Sequence, residues 1–93
     1  MSENDHITGR QIAAGRVLAG LGQSELAAAA SISVPTLRRM EASSGLATGL
    51  VNNVAAVRRA LEAAGVIFVD ENGEGPGVRL KKQNQDIFGS RLV

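Results

Sequence analysis

The chain has 93 residues, enough for one domain with a small core. It has no cysteine, tryptophan or tyrosine and only two phenylalanines, which excludes disulfide frameworks and thiolate zinc sites. The core must come from Ala, Leu, Ile and Val, and the net charge of +1 hides a segregation along the chain.

Residues 8–64 are basic, with Arg10, Arg16, Arg38, Arg39, Arg58 and Arg59 against Glu25, Glu41 and Glu62. Residues 65–77 hold Asp70, Glu71 and Glu74 without a base, and residues 78–93 set Arg79, Lys81, Lys82 and Arg91 against Asp86. Such alternation suits a protein that meets a polyanion on one side, although charge alone does not separate this from an ordinary mixed surface. No run approaches the ~18 apolar residues of a membrane helix. The opening MSENDHITG lacks a charged-then-apolar signal, so a cytoplasmic protein is expected, with no membrane contact.

Met1 to His6 is polar, and residues 1–7 are expected to form a flexible N-terminus. His6 is the only histidine and has no second ligand candidate nearby, so neither a metal nor a catalytic role is expected. Thr8 can N-cap a first helix running to about Ala19, with Ile12, Val17, Leu18 and also Ile7 inward and Arg10 and Arg16 outward. Gly15 should weaken that helix by about 1 kcal/mol relative to Ala. Gly20 suits its C′ position.

A second helix begins near Gln23 or Ser24 and runs through the alanines to Ala30, with Leu26, Ala27 and Ala30 as its inner face. Ser31-Ile32-Ser33 interrupts it. Ser33 is placed to N-cap a third helix, Val34 to about Glu41, in whose first turn Pro35 loses no intrahelical donor. Leu37 and Met40, three apart, should anchor this helix, leaving Val34, Pro35, Thr36, Arg38 and Arg39 to face outward. Ser43-Ser44-Gly45 ends it. A fourth helix from about Leu50 to Ala64 carries a stripe of Leu50, Val54, Val57, Leu61 and Ala64, with Arg58, Arg59 and Glu62 outward, for dimer contact or for solubility.

After Gly65 the period changes. Val66 to Val69 is β-branched and aromatic, residues 70–77 are turn-rich, and Val78 to Lys81 alternates, which predicts a β-hairpin over 66–82. An isolated hairpin is marginal, so it should pack on the fourth helix or add to a partner's strand. Its Gly-rich loop lacks the Gly-Lys-Ser/Thr of a phosphate cradle and carries three acids. Residues 83–93 are a polar tail with Ile87, Phe88 and Leu92 scattered in it, either flexible or partner-binding.

The run LGQSELAAAASISVPTLRRME, Leu21 to Glu41, resembles the helix-turn-helix of the lambda-repressor-like (XRE) family of bacterial and phage transcription regulators. The matches are Leu21, Gln23, Glu25-Leu26-Ala27, Ile32-Ser33, Thr36-Leu37 and Arg39-Met40-Glu41. Gly22 replaces the usual Ser or Thr. Ser31 replaces the turn glycine at a position that is often left-handed, costing a non-Gly residue of order 1–2 kcal/mol.

The resemblance implies a mainly α fold: a four-helix lambda-repressor-like helix-turn-helix domain over 8–65 with a short C-terminal β-hairpin. It implies a sequence-specific DNA-binding transcription regulator, most simply a repressor, that binds double-stranded DNA as a homodimer. The third helix would enter the major groove, a docking for which the lambda repressor is a standard example. Val34, Pro35, Arg38 and Arg39 would then contact bases, an Arg at position 39 suiting the guanine O6/N7 pair. Gln23, Ser33, Thr36, Asn52 and Asn53 would contact the DNA backbone; the alternative for Gln23 is a plain solvated residue, and the motif around it favours the phosphate contact. Glu41 reads as structural, pairing with an arginine of the first helix.

No enzyme, cofactor or small-molecule ligand is expected, because no nucleophile motif, histidine–carboxylate pair or metal-ligand spacing is present. Regulation would come from concentration, autoregulation or a protein antagonist. The alternative is a protein-interaction module of the same fold, an antitoxin or a transcriptional co-activator.

Overall fold

The computed structural model describes residues 6–82. The expected tail at 83–93, and the expected flexible N-terminus apart from its last residues, lie outside them. The described chain forms four helices, α1 (Gly9–Leu18), α2 (Gln23–Ala30), α3 (Val34–Glu41) and α4 (Val51–Ala63). Two strands follow, β1 (Val66–Val69) and β2 (Gly77–Leu80). The architecture is therefore mainly helical with one short antiparallel hairpin.

Local chemistry explains the helix ends. The Thr8 hydroxyl accepts the Gln11 N–H while the Gln11 side chain accepts the Thr8 N–H, a reciprocal capping box that starts α1. Ser33 accepts the Thr36 N–H at 3.2 Å and Pro35 occupies the first turn of α3. Gly65, at φ 101°, closes α4 in a conformation that costs glycine no steric penalty. The stop between α2 and α3 is less ordinary. Ser31 takes the left-handed conformation, φ 58° and ψ 43°, so the turn keeps the geometry usually given to glycine and the serine carries the strain.

The core is aliphatic. Ile7, Ile12, Leu26, Leu37, Met40, Val54, Val57, Leu61, Val66 and Phe68 are buried, with Ala27 and Ala30 allowing close helix approach. Ile7 belongs to this packed body. Its carbonyl accepts the Ala47 N–H at 2.9 Å, and the Gly9 N–H donates to Gly45, so the loop after α3 is strapped to the start of α1. A Cβ on Gly9 would collide with the Met40 carbonyl oxygen, and one on Gly15 would lie 3.1 Å from Val66 Cγ1. Both glycines are thus packing residues of α1: one lets α3 approach, the other lets the hairpin approach.

Several inward assignments are corrected. Val17 and Leu18, expected in the core, are 67% and 44% exposed. The face of α1 that packs is instead Gly9, Gln11, Ile12 and Gly15. Leu50, expected at the head of the α4 stripe, is 71% exposed as the N-cap residue, and Ala64 is exposed at the other end; only Val54, Val57 and Leu61 are buried. The helix is one residue shorter at each end than the stripe, so its terminal members have no neighbour above them. Arg16 and Arg58, expected outward, are both half-buried. Arg58 stacks 4.7 Å from the Phe68 ring centroid and pairs with Glu62 at 3.0 Å, laying its stem along the hairpin.

The hairpin pairs Val66 with Leu80, Ile67 with Arg79, Phe68 with Val78 and Val69 with Gly77. The second strand therefore begins one residue before the expected Val78 and ends before Lys81. It packs on α4 through β1, as expected, and also on α1, chiefly through β2. Gln11, 6% exposed, is the link that was not foreseen. Its Nε2 donates to the carbonyls of Val69 and Gly77 at 3.4 and 3.0 Å while its Oε1 accepts the Thr8 N–H. One amide thus caps α1 and holds the loop end of the hairpin.

Candidate functional site

Helix α3 divides its residues sharply. Leu37 and Met40 are fully buried, whereas Pro35, Arg38 and Arg39 are exposed. Thr36 is half-buried, and Val34 is partly buried against the core. An eight-residue helix is too short to hold its shape alone, so the two apolar anchors fix the pitch at which its polar face is offered.

A chain of side-chain bonds fixes the same face from the other side. Glu41, at the end of α3, accepts from Arg16 of α1 in a two-pronged contact, Nε to Oε2 at 2.8 Å and Nη2 to Oε1 at 3.2 Å. The expected pairing of Glu41 with a first-helix arginine is therefore present. Arg16 also donates to the Leu21 carbonyl, pinning the loop that leads into α2. Glu41 Oε1 accepts in turn from Gln23 Nε2 at 3.0 Å, and Gln23 Oε1 accepts from Arg38 Nε at 3.3 Å. Arg16, Glu41, Gln23 and Arg38 form one line that crosses α1, α3 and α2 and ends on the exposed guanidinium of Arg38. Gln23 is thus half-buried and tied in this line rather than freely solvated.

The remaining candidates fall into two groups. At the start of α3, the Ser33 hydroxyl donates to Thr36 Oγ1 at 2.8 Å while accepting the Thr36 N–H. The single Ser33 proton is therefore used, and the Thr36 hydroxyl keeps its own for an outside acceptor. On the other flank, Thr36, Arg39, Thr48, Gly49, Leu50 and Asn53 line one open groove between α3 and the start of α4. Asn52 is exposed beside it, at the second residue of α4. Arg39 makes no ion pair among the described residues, in contrast to Arg16 and Arg58.

The N-terminus of α2 is partly spoken for. Glu25 reaches back to the Gly22 N–H at 2.7 Å, where glycine can offer no side-chain oxygen in return. The helix end therefore carries a carboxylate close to its free N–H groups, which weakens it as a general anion site. Sequence reading identified Gln23, Glu41, Arg38 and Arg39 singly. It had no signal for the Gln23–Arg38 link, because residues fifteen apart on two helices meet only once the turn between them is set. The chain matches no protein-family model, and no curated protein matches it at a significant level.

Proposed function

We propose that this chain is a sequence-specific DNA-binding transcription regulator of the lambda-repressor-like helix-turn-helix type, with α3 as the helix that enters the major groove. Most simply it is a repressor that binds a pseudo-palindromic operator as a homodimer, with recognition helices about 34 Å apart. The opposite fates of neighbours on α3 carry the proposal: Leu37 and Met40 are buried while Pro35, Arg38 and Arg39 stand exposed on the same eight residues. A helix of that length spans about 12 Å, close to the ~12 Å width of the major groove.

In this reading Arg39, exposed and without an ion pair among the described residues, reads a guanine edge through two parallel N–H donors. Arg38 is held by Gln23, and its remaining guanidinium nitrogens are left for a base or a phosphate. Pro35 presses on a thymine methyl, with Val34 behind it against the core. Thr36 donates to a backbone oxygen through its unused proton, while Asn52 and Asn53 meet the sugar-phosphate backbone from the far wall of the groove. Ser33 contributes by holding Thr36 in place. Gln23 reaches a phosphate only by giving up Glu41, so its main part is to set Arg38.

The test is binding to a genomic DNA fragment library, with Arg39→Ala beside the wild type. Enrichment of a short palindrome, lost or relaxed in the variant, is the expected result; each mismatched or unread base pair is worth about 1–3 kcal/mol. Affinity should also fall steeply with added salt through counterion release. Uniform binding that Arg39→Ala leaves unchanged would sink the specific-regulator reading. It would favour instead a protein-interaction module of the same fold, an antitoxin or a co-activator, which the exposed Leu46, Leu50 and Val51 favour.

A further inference from the structure

The loop between β1 and β2 carries the dipeptide Asn72-Gly73, flanked by Glu71 and Glu74. Both residues of the dipeptide are exposed. Among the described residues, 70–76 make no backbone–backbone hydrogen bond beyond the strand ladder, which ends at the Val69–Gly77 pair. One side-chain contact stands out in this loop: the Gly73 N–H donates to Glu71 Oε2 at 2.8 Å. The Asn72 side chain makes no hydrogen bond among the described residues. Gly73 stands at φ 105°, a conformation open to glycine, and no heavy atom beyond its chain neighbours lies within 4 Å of where its Cβ would be.

We propose that Asn72 is a site of spontaneous deamidation in which Glu71 serves as the base for the Gly73 nitrogen. The Gly73 N–H proton passes to the Glu71 carboxylate, and the nitrogen bonds to Asn72 Cγ, closing a succinimide ring. The bond from Cγ to the side-chain nitrogen breaks, and ammonia leaves with the proton returned by Glu71. Water then opens the ring at either of its carbonyls, giving aspartate or isoaspartate. The balance is one water taken up and one ammonia released. A peptide N–H lies in the plane of its amide, whereas the nitrogen attacks from the face of that plane. The bond to Glu71 therefore takes the proton without blocking the attack. Glycine leaves that face bare, and the Asn72 amide can swing onto it. General-base help is worth ~10²–10⁴-fold when base and proton are well matched; a carboxylate is a weak base for an amide proton, so about tenfold is expected here.

The fold singles out this asparagine. Asn52 and Asn53 lie in the first turn of α4, followed by Asn53 and Val54 rather than by glycine. The nitrogens that would attack there, those of Asn53 and Val54, each donate to the Leu50 carbonyl at 3.0 Å. Helical ψ angles also turn them away from the preceding side chain. The product acts on the hairpin. It adds a carboxylate beside Asp70, Glu71 and Glu74, and isoaspartate lengthens the main chain of the loop by a methylene. Both loosen the turn that joins the strands. Asparagine is not regenerated, so the altered fraction grows with the age of the chain.

The test ages the full chain in neutral buffer at physiological temperature and follows it by tryptic peptide mass. Cleavage after Arg59 and Arg79 gives a peptide of residues 60–79 in which Asn72 is the only side-chain amide, so its mass gain reports that residue alone. An isoaspartyl methyltransferase then labels the isoaspartate fraction. Wild type is compared with Glu71→Gln and Glu74→Gln, two exposed substitutions that keep the helical circular dichroism. Charge by itself makes both variants convert faster, because each removes a negative charge that opposes an anionic nitrogen. A base at Glu71 gives the opposite sign at one position: Glu71→Gln slows Asn72 by about tenfold, and Glu74→Gln does not slow it. Glu71→Gln converting as fast as wild type or faster overturns the proposal, and so does equal slowing in both variants. A synthetic peptide of residues 70–76 serves as the clock. A wild-type chain whose Asn72 stays intact while that peptide converts, or in which Asn52 or Asn53 converts first, overturns it as well.

Discussion

Replacing Glu41 with Gln tests whether the line from Arg16 to Arg38 is structural or decorative. The Glu41 carboxylate receives three donors: Arg16 Nε, Arg16 Nη2 and Gln23 Nε2. A glutamine has one oxygen and one NH₂ in the same shape, so in either orientation at least one of those donors faces another donor. Rotating the Gln23 amide does not help, because its nitrogen then meets Arg38 Nε. The side chains of Arg16 and Glu41 are 18% and 8% exposed, so the pair lies nearer the buried than the exposed limit. Breaking a buried pair costs about 3–5 kcal/mol, and exposed pairs contribute about 0–1 kcal/mol. With one acceptor retained, Glu41→Gln should cost about 2 kcal/mol. In urea, with a slope of about 1–2 kcal/mol per molar for a chain of this size, the midpoint should fall by about 1–2 M at constant slope. A double-mutant cycle with Arg16→Met isolates the coupling from the loss of stem packing. A destabilisation below about 0.5 kcal/mol with no coupling would refute the reasoning and make the pair an ordinary surface bridge.

Other substitutions probe the backbone. Gly9→Ala should destabilise by about 1–3 kcal/mol or more in thermal melts, because its methyl meets the rigid Met40 and Ser43 carbonyls rather than a yielding side chain. Ser31→Gly should stabilise by about 0.5–1 kcal/mol, the left-handed penalty of about 1–2 kcal/mol less the chain-entropy cost of glycine. A rise of roughly 2–8 °C in Tm is expected, and an unchanged or lower Tm would mean that the turn holds no strain. Gln11→Met removes both donors to the hairpin and the acceptor for Thr8. It should cost about 1–3 kcal/mol and speed amide exchange in residues 66–80 more than in α2 and α3.

Much of the secondary structure was legible because its signals are local. Thr8, Ser33, Pro35 and Gly65 act on backbone groups within one turn, so they mark helix ends wherever the chain goes. The shift from Ala-rich runs to Val-Ile-Phe-Val marks the hairpin for a similar reason. The candidate reading helix was legible through Leu37 and Met40, since a helix so short can be anchored only by the apolar residues on it.

Only the tertiary structure decided which side of α1 is inward. Apolar content points to Val17 and Leu18, but helices in a core almost without aromatic residues pack closely, and the residues that permit close approach are Gly9 and Gly15. These score as weak or outward in any hydrophobic pattern, because their contribution is the absence of a side chain where the Met40 carbonyl and Val66 arrive. Gln11 was invisible for the complementary reason: a polar side chain is buried only where partners such as the Val69 and Gly77 carbonyls meet it, and those lie some sixty residues away. The charged face follows the same division. Composition along the chain already placed Arg16, Gln23, Arg38 and Glu41 on three short helices, but which of them bind one another depends on the angles at which those helices cross.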